Sequence, residues 1–109
     1  MELRHLCYFV AVAEELHFAR AAERLHIEQS PLSRAIKELE SYLAVQLLER
    51  TTRRTRLTWV GQVFLEEAHR IFVAIDQAKA SVKAAATSYH GRLRIALSDG
   101  IAQPRLSAL

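Results

Sequence analysis

Between Phe18 and Leu43 the chain reads FARAAERLHIEQSPLSRAIKELESYL, two apolar stripes at helical spacing separated by a break too short for any other element. Phe18, Ala21, Ala22 and Leu25 form the first stripe, and Leu32, Ala35, Ile36 and Leu39 the second. A helix, a tight turn and a crossing helix would bury both stripes against one core. Ala21 and Ala22 are small enough to let the second helix cross closely, and Ile27 in the turn is placed to plug the corner beneath both. Ser30-Pro31 marks the second helix start, because the hydroxyl can cap orphan N–H groups and proline at the first helical position gives up no hydrogen bond. At about 100° per residue, Ser33, Arg34, Lys37 and Ser41 point away from the buried stripe, as they would toward a DNA groove. The alternative is an ordinary helical bundle in which the same residues form a solvated face.

The placement of charge favours the groove. Net charge is only +3, yet Arg50, Arg53, Arg54 and Arg56 crowd into RTTRRTR, whereas basic residues are sparse after it. A local cluster of this kind suits a polyanion, although a solvated loop is the competing reading. Half of the residues are apolar and a quarter charged, which at 109 residues fits one globular domain with a modest core and an appendage.

The chain opens with a helix from about Leu3 to Leu16, with Leu3, Leu6, Cys7, Val10 and Ala13 on one face and Tyr8 and Val12 on the other. The first face predicts a buried Cys7. The second would be exposed in a monomer. Beyond Leu43, Leu47 to Arg50 and Arg56 to Thr58 look like two short strands flanking the Arg-Thr-rich loop, a small hairpin with arginines at its tip. A helix-turn-helix followed by such a hairpin is a winged helix.

Thr58 is a plausible N-cap for the next helix, and nothing breaks the helical pattern from Trp59 until Ser88 to Gly91. Some thirty residues at about 1.5 Å each make a rod of roughly 45 Å, longer than a domain of this size requires. Phe64, Ala68, Ile71, Ile75, Ala78, Val82 and Ala85 recur at spacings of 4, 3, 4, 3, 4 and 3, which is a heptad seam of coiled-coil type. The stripe is explained by a homodimer. The competing reading packs the seam on the chain's own domain, as Leu65 and Phe72 on its flank allow over the first two turns. Arg92 to Leu97 then alternates as a strand does, and Ser98 to Leu109 closes no unit, so the last residues are expected to be poorly packed and the chain to be the N-terminal piece of a longer protein.

Other classes find little support. Cys7 is the single cysteine, which leaves no internal disulfide or thiolate zinc site and suits a reducing compartment. The apolar run Leu6 to Ala13 is shorter than a signal peptide, and no run approaches the ~18 apolar residues of a membrane span, so a cytoplasmic location is expected. The histidines at 5, 17, 26, 69 and 90 are scattered, no glycine-rich phosphate loop occurs, and Glu14-Glu15 and Glu66-Glu67 diverge on a helix. No catalytic or metal-binding set is assigned. A dimerisation or protein-docking module whose winged helix does not touch DNA is the more serious rival.

Leu3, Phe9, Ala21-Ala22, Leu25, Gln29-Ser30-Pro31-Leu32-Ser33, Ile36, Leu39-Glu40, Leu43, Leu47, Arg50, Leu57-Thr58 and Gly61 together resemble the N-terminal part of LysR-type bacterial transcriptional regulators. The resemblance runs from Met1 to about Gly91. It implies a mainly α chain: a winged helix-turn-helix of three helices and a two-stranded wing over residues 1–58, a linker helix over 59–90 that dimerises antiparallel with its twin, and a truncated effector-binding domain from 91 to 109. It places Gln29, Ser30, Pro31, Ser33, Arg34 and Lys37 against double-stranded DNA, with Arg53 in the wing; Arg54 at the same hairpin tip is expected to assist. It implies a homodimer, with a tetramer open at full length, and a small-molecule effector for the missing C-terminal domain but no cofactor in this chain. Three positions depart from the family pattern: Ala44 stands where glycine is usual, Leu48 where phenylalanine is common, and His17 where a serine often caps the second helix.

Overall fold

The computed structural model describes residues 1–99, with side chains through residue 93. Helices α1 (Leu3–Glu15), α2 (Phe18–Leu25) and α3 (Gln29–Leu43) are followed by strands β1 (Leu48–Arg50) and β2 (Thr55–Leu57) and by helix α4 (Trp59–Asp99). The strands pair antiparallel, with Leu48 opposite Leu57, Glu49 opposite Arg56 and Arg50 opposite Thr55. Two compact units result, Met1–Arg70 and Ile71–Leu109.

The three short helices all end the same way. Leu16, His26 and Ala44 adopt left-handed backbone at φ 51°, 57° and 57°, and their N–H groups turn back to Val12, Glu23 and Ser41 carbonyls. None is glycine, so each end carries strain of about 1–2 kcal/mol that the core must offset. Ala44 thus takes the conformation for which glycine is suited. His17 replaces the serine cap functionally: its Nδ1 accepts from the Arg20 N–H at 3.2 Å. The α3 start differs from the sequence expectation. Glu28 is the N-cap, without a side-chain cap bond, and Ser30 and Pro31 lie inside the first turn, where proline's missing N–H is still harmless.

The core of the first unit is made by Phe9, Val12, Leu32, Leu39 and Leu47, all essentially free of solvent, with Ile27 packed partly buried beneath the α2–α3 corner. Here the expectation for α1 needs correction. Phe9 through Ala13 are all buried, so Val12 faces the core rather than solvent or a partner, while Leu3 and Cys7 are exposed. The reason is that α1 is covered from more than one side: α2 and α3 pack on it, and Phe64 of α4 meets Phe9 edge-on with ring centroids 5.3 Å apart. A helix enclosed in this way has no single apolar stripe. His5, 6% exposed, is satisfied at both nitrogens: Nδ1 accepts from the Glu2 N–H at 3.0 Å, and Nε2 faces Glu38 of α3 at 3.3 Å.

The wing is fastened at Leu47. The Glu40 carboxylate of α3 accepts from the N–H groups of Leu47 and Leu48 at 2.7 and 3.2 Å, and the Thr58 N–H donates to the Leu47 carbonyl at 3.0 Å. Thr58 also caps α4, its hydroxyl oxygen accepting from the Gly61 N–H at 2.9 Å. Gly61 must be glycine, because a Cβ there would stand 2.1 Å from the Leu47 oxygen.

The Ile71–Leu109 unit is helical as far as it is described. The predicted strand at Arg92 to Leu97 is not formed; these residues continue α4 through Gly91 to Asp99. An isolated glycine costs a helix about 1 kcal/mol but does not end it when leucine, arginine and alanine follow, and an alternating segment without partner strands has nothing to pair with. The expected poor packing of the last residues lies outside the described residues beyond 99. Among the described residues no helix is long and apolar enough to cross a membrane.

Two substitutions to or from glycine should act with opposite signs. Gly61→Ala would raise helix propensity yet overpack the Leu47 carbonyl, so it should destabilise by about 1–3 kcal/mol. Ala44→Gly relieves left-handed strain of about 1–2 kcal/mol against about 0.4–1 kcal/mol of added chain entropy, and should stabilise modestly. Denaturant unfolding of both variants checks the pair. A neutral or stabilising Gly61→Ala would contradict the packing described.

Candidate nucleic-acid interface

Helix α3 divides cleanly. Leu32, Ala35, Ile36 and Leu39 are buried, and Gln29, Ser30, Pro31, Arg34 and Lys37 are exposed, with Ser33 half-buried at the edge. The outward face expected from the 3.6-residue period is therefore present, and it extends to the first turn of the helix. The structure brings the wing to its side: the Arg50 guanidinium of β1 donates to Ser33 Oγ at 3.2 Å and lies over the Phe18 ring, its Cζ 3.7 Å from the centroid.

At the tip of the hairpin the backbone is held by Thr51. Its N–H donates to the Arg54 carbonyl at 2.8 Å, and its hydroxyl oxygen accepts from the N–H groups of Arg53 and Arg54 at 3.4 and 3.1 Å. These bonds hold the turn through its own backbone and Thr51, and the Arg53 and Arg54 side chains are exposed. Between this tip and the start of α2 lies an open cleft of about 360 Å³ whose lining includes His17, Gln29, Arg50, Arg53 and Arg54. Because His17 Nδ1 accepts in the helix cap, the neutral imidazole carries its proton on Nε2 and is a donor there.

Several cations outside this surface are held in ion pairs. Arg24 is clamped by Glu14 at 2.7 Å and Glu15 at 3.3 Å, and the hydrogen bond to Glu14 is the chief cause that pushes its pKa above the ordinary arginine value. Arg4 pairs with Glu2, Arg70 with Glu67, and Arg56 with Glu49 directly across the wing at 2.9 Å. Arg34, Lys37, Arg53 and Arg54 form no salt bridge among the described residues. Four unpaired cations on one helix face and the neighbouring hairpin attract polyanions most strongly, since no carboxylate must first be displaced. Arg56, counted in the basic cluster from sequence, is neutralised and contributes less. Arg50 and Glu40 were not singled out as site residues; strand alternation signals which way a side chain leaves the sheet, but not that Arg50 turns back onto Phe18.

The seam on α4 is placed in two parts. Ala68 is fully buried and Phe64 partly buried against the core of the first unit, so these two are engaged within the chain itself. Ile71 and Ile75 are half-buried, and Ala78, Val82 and Ala85 are exposed, Val82 at 69%. Ile75, Ala78 and Val82 line an almost wholly apolar strip edged by Lys79 and Lys83.

Comparison with known proteins agrees with this architecture. Residues 3–62 match the family model described as a bacterial regulatory helix-turn-helix protein of the lysR family. The chain is 48% identical over 99 residues to the uncharacterized HTH-type transcriptional regulator YnfL of Escherichia coli, covering 91% of this chain and 33% of that protein. It is 53% identical over 77 residues to the HTH-type transcriptional regulator AlsR of Bacillus subtilis, covering 71% of this chain and 26% of that protein. The chain therefore spans a third or less of the length of these two relatives. Among solved structures it is similar to the DNA-binding domain of BenM in complex with catB site 1 DNA, with a TM-score of 0.75, 48% identity, and coverage of 79% of this chain and 96% of that one. It is likewise similar to the CbnR DNA-binding domain in complex with DNA, with a TM-score of 0.76, 46% identity, and coverage of 79% and 99%. On the family match over residues 3–62, carried by a winged helix-turn-helix, the chain belongs to the lysR family of bacterial helix-turn-helix regulatory proteins.

Proposed function

We propose that this chain is the sequence-specific DNA-binding part of a transcriptional regulator and works as a homodimer. The observation that carries the reading is the outer face of α3, where Arg34 and Lys37 are exposed without salt-bridge partners, together with the unpaired wing cations Arg53 and Arg54, whose cleft Gln29 of α3 also lines. Similarity at 46–48% identity to two domains solved with DNA supports it. In this reading α3 enters the major groove. Gln29, Ser33, Arg34 and Lys37 approach base edges, and Ser30 and Pro31 bring the first turn close to the duplex. Arg53 and Arg54 reach the adjacent minor groove or its flanking phosphates. The relatives named above are transcriptional regulators, and we assign this chain no enzymatic step and a cytoplasmic place of action. A domain taking a small-molecule effector would lie beyond these residues.

The exposed strip from Ile75 to Val82 supports pairing of two copies through α4. The seam available to a partner begins at Ile71 rather than Phe64, because Phe64 and Ala68 are used within the chain. In an antiparallel pair over this shorter seam Ala78 would meet its twin at the middle, with Ile75 facing Val82 and Ile71 facing Ala85 across the two copies. Two reading surfaces related by a two-fold axis imply an operator with two half-sites in the same relation.

Arg34→Ala should weaken binding to the specific site by about 1–3 kcal/mol and binding to random duplex much less. Equal losses on both, in a titration of each duplex, would reduce Arg34 to a backbone contact. Neutralising Arg53 and Arg54 together should flatten the slope of log affinity against log salt; an unchanged slope would leave the wing arginines in solvent. Ile75→Glu would set two like charges in a desolvated seam, at a cost of several kcal/mol, and should dissociate the pair. If that variant sediments as a dimer and still protects two half-sites, α4 is not the interface.

A further inference from the structure

We propose that Arg50 is a positioning residue of the reading surface: stacked on Phe18 and bonded to Ser33, it fixes the Ser33 hydroxyl as a hydrogen-bond donor toward the DNA. The inference rests on the DNA-binding reading above and deepens it. Three elements meet at this one guanidinium, which leaves β1, lies 3.7 Å from the ring centroid of Phe18 on α2, and donates from Nη1 to Ser33 Oγ on α3 at 3.2 Å. A guanidinium held over the ring and bonded to the serine oxygen is confined from two sides, which fixes where that oxygen is engaged.

The chemistry follows from the donor inventory. A guanidinium has N–H donors and no acceptor, so toward Arg50 the serine oxygen can only accept. The single hydroxyl hydrogen must point elsewhere, and among the described residues no acceptor takes it. A helical serine often donates that hydrogen to a carbonyl one turn back, and no such bond is made here. Ser33 stands at the border of the outward face, between Gln29 and Arg34, and so offers its hydrogen to whatever occupies the groove. On base edges the partners that fit are acceptor atoms, namely purine N7, guanine O6 or thymine O4; the amino groups of cytosine and adenine do not fit. Without Arg50 the hydroxyl could rotate to serve as acceptor or donor, and Ser33 would lose its power to discriminate.

The test is selection of binding sites from randomised duplexes with the full chain, carried out for the natural protein, Ser33→Ala, Arg50→Lys, the double variant of these two, and Phe18→Leu. Lysine keeps the charge but has neither the planar face nor the fork. The natural protein should enrich a defined two-fold site; if it enriches none, the DNA-binding reading fails before Arg50 is tested. Arg50→Lys and Ser33→Ala should each lose about tenfold in preference at the same base pair of each half-site. Every other preference and the salt slope should be unchanged, and the double variant should lose no more than either single one. Phe18→Leu, which removes the ring and leaves both polar partners, should blunt that same base pair. The proposal is overturned if Arg50→Lys keeps the preference that Ser33→Ala loses. It is also overturned if Arg50→Lys weakens all sequences alike with an altered salt slope, which would make Arg50 a phosphate contact.

Discussion

The peptide of Leu47 is the point on which the rest of the first unit depends. Its N–H is held by the Glu40 carboxylate of α3, its carbonyl receives the Thr58 N–H, and its side chain has no solvent exposure. The carbonyl also abuts Gly61, where even a methyl group would collide. One backbone unit therefore joins the end of α3, the base of the wing and the start of α4. A two-stranded hairpin of three residues a side is marginal in water, so its position relative to α3 must be set by such fastening rather than by its own pairing. Because the carboxylate satisfies two buried N–H groups at once, loss of Glu40 would leave both without partners, a larger penalty than loss of one ordinary surface bond.

From this fastening the reading surface follows. Fixing the base of the hairpin beside α3 brings Arg50 within reach of Ser33 and Phe18, and it sets the tip, with Arg53 and Arg54, around the cleft that His17 and Gln29 also line. Elsewhere Arg4, Arg24, Arg56 and Arg70 are paired with Glu2, Glu14, Glu15, Glu49 and Glu67, which lowers the positive charge away from this surface. Exposed ion pairs of this kind add little to stability. Their consequence here is to lower positive charge at those four positions.

Much of this was legible in the residues. The stripes through Ala21, Ala22, Leu32 and Ile36 located α2 and α3, because each helix has one buried face and the period is unambiguous. The hairpin was legible from Leu48 and Leu57 flanking a polar arginine-rich turn. Val12 and Cys7 were misplaced because α1 is enclosed on several sides, and a five-residue buried run from Phe9 to Ala13 leaves no period to read. The strand expected at Arg92 was helix because a single glycine is a weaker stop than it looks, and alternation over six residues does not distinguish the two states when apolar residues are also helix formers. The contacts of Glu40, His17 and Arg50 were not legible in kind. They depend on tertiary approach, which no local spacing encodes.

Native-state hydrogen exchange of the Leu47, Leu48 and Thr58 amides tests the fastening most directly. If these groups hold the wing to α3 and α4 as described, they exchange only with global unfolding, at the same free energy as the slowest amides of α3 around Leu39. Exchange through a smaller opening, with the α3 core amides still protected, would show that the wing detaches on its own and would contradict the account.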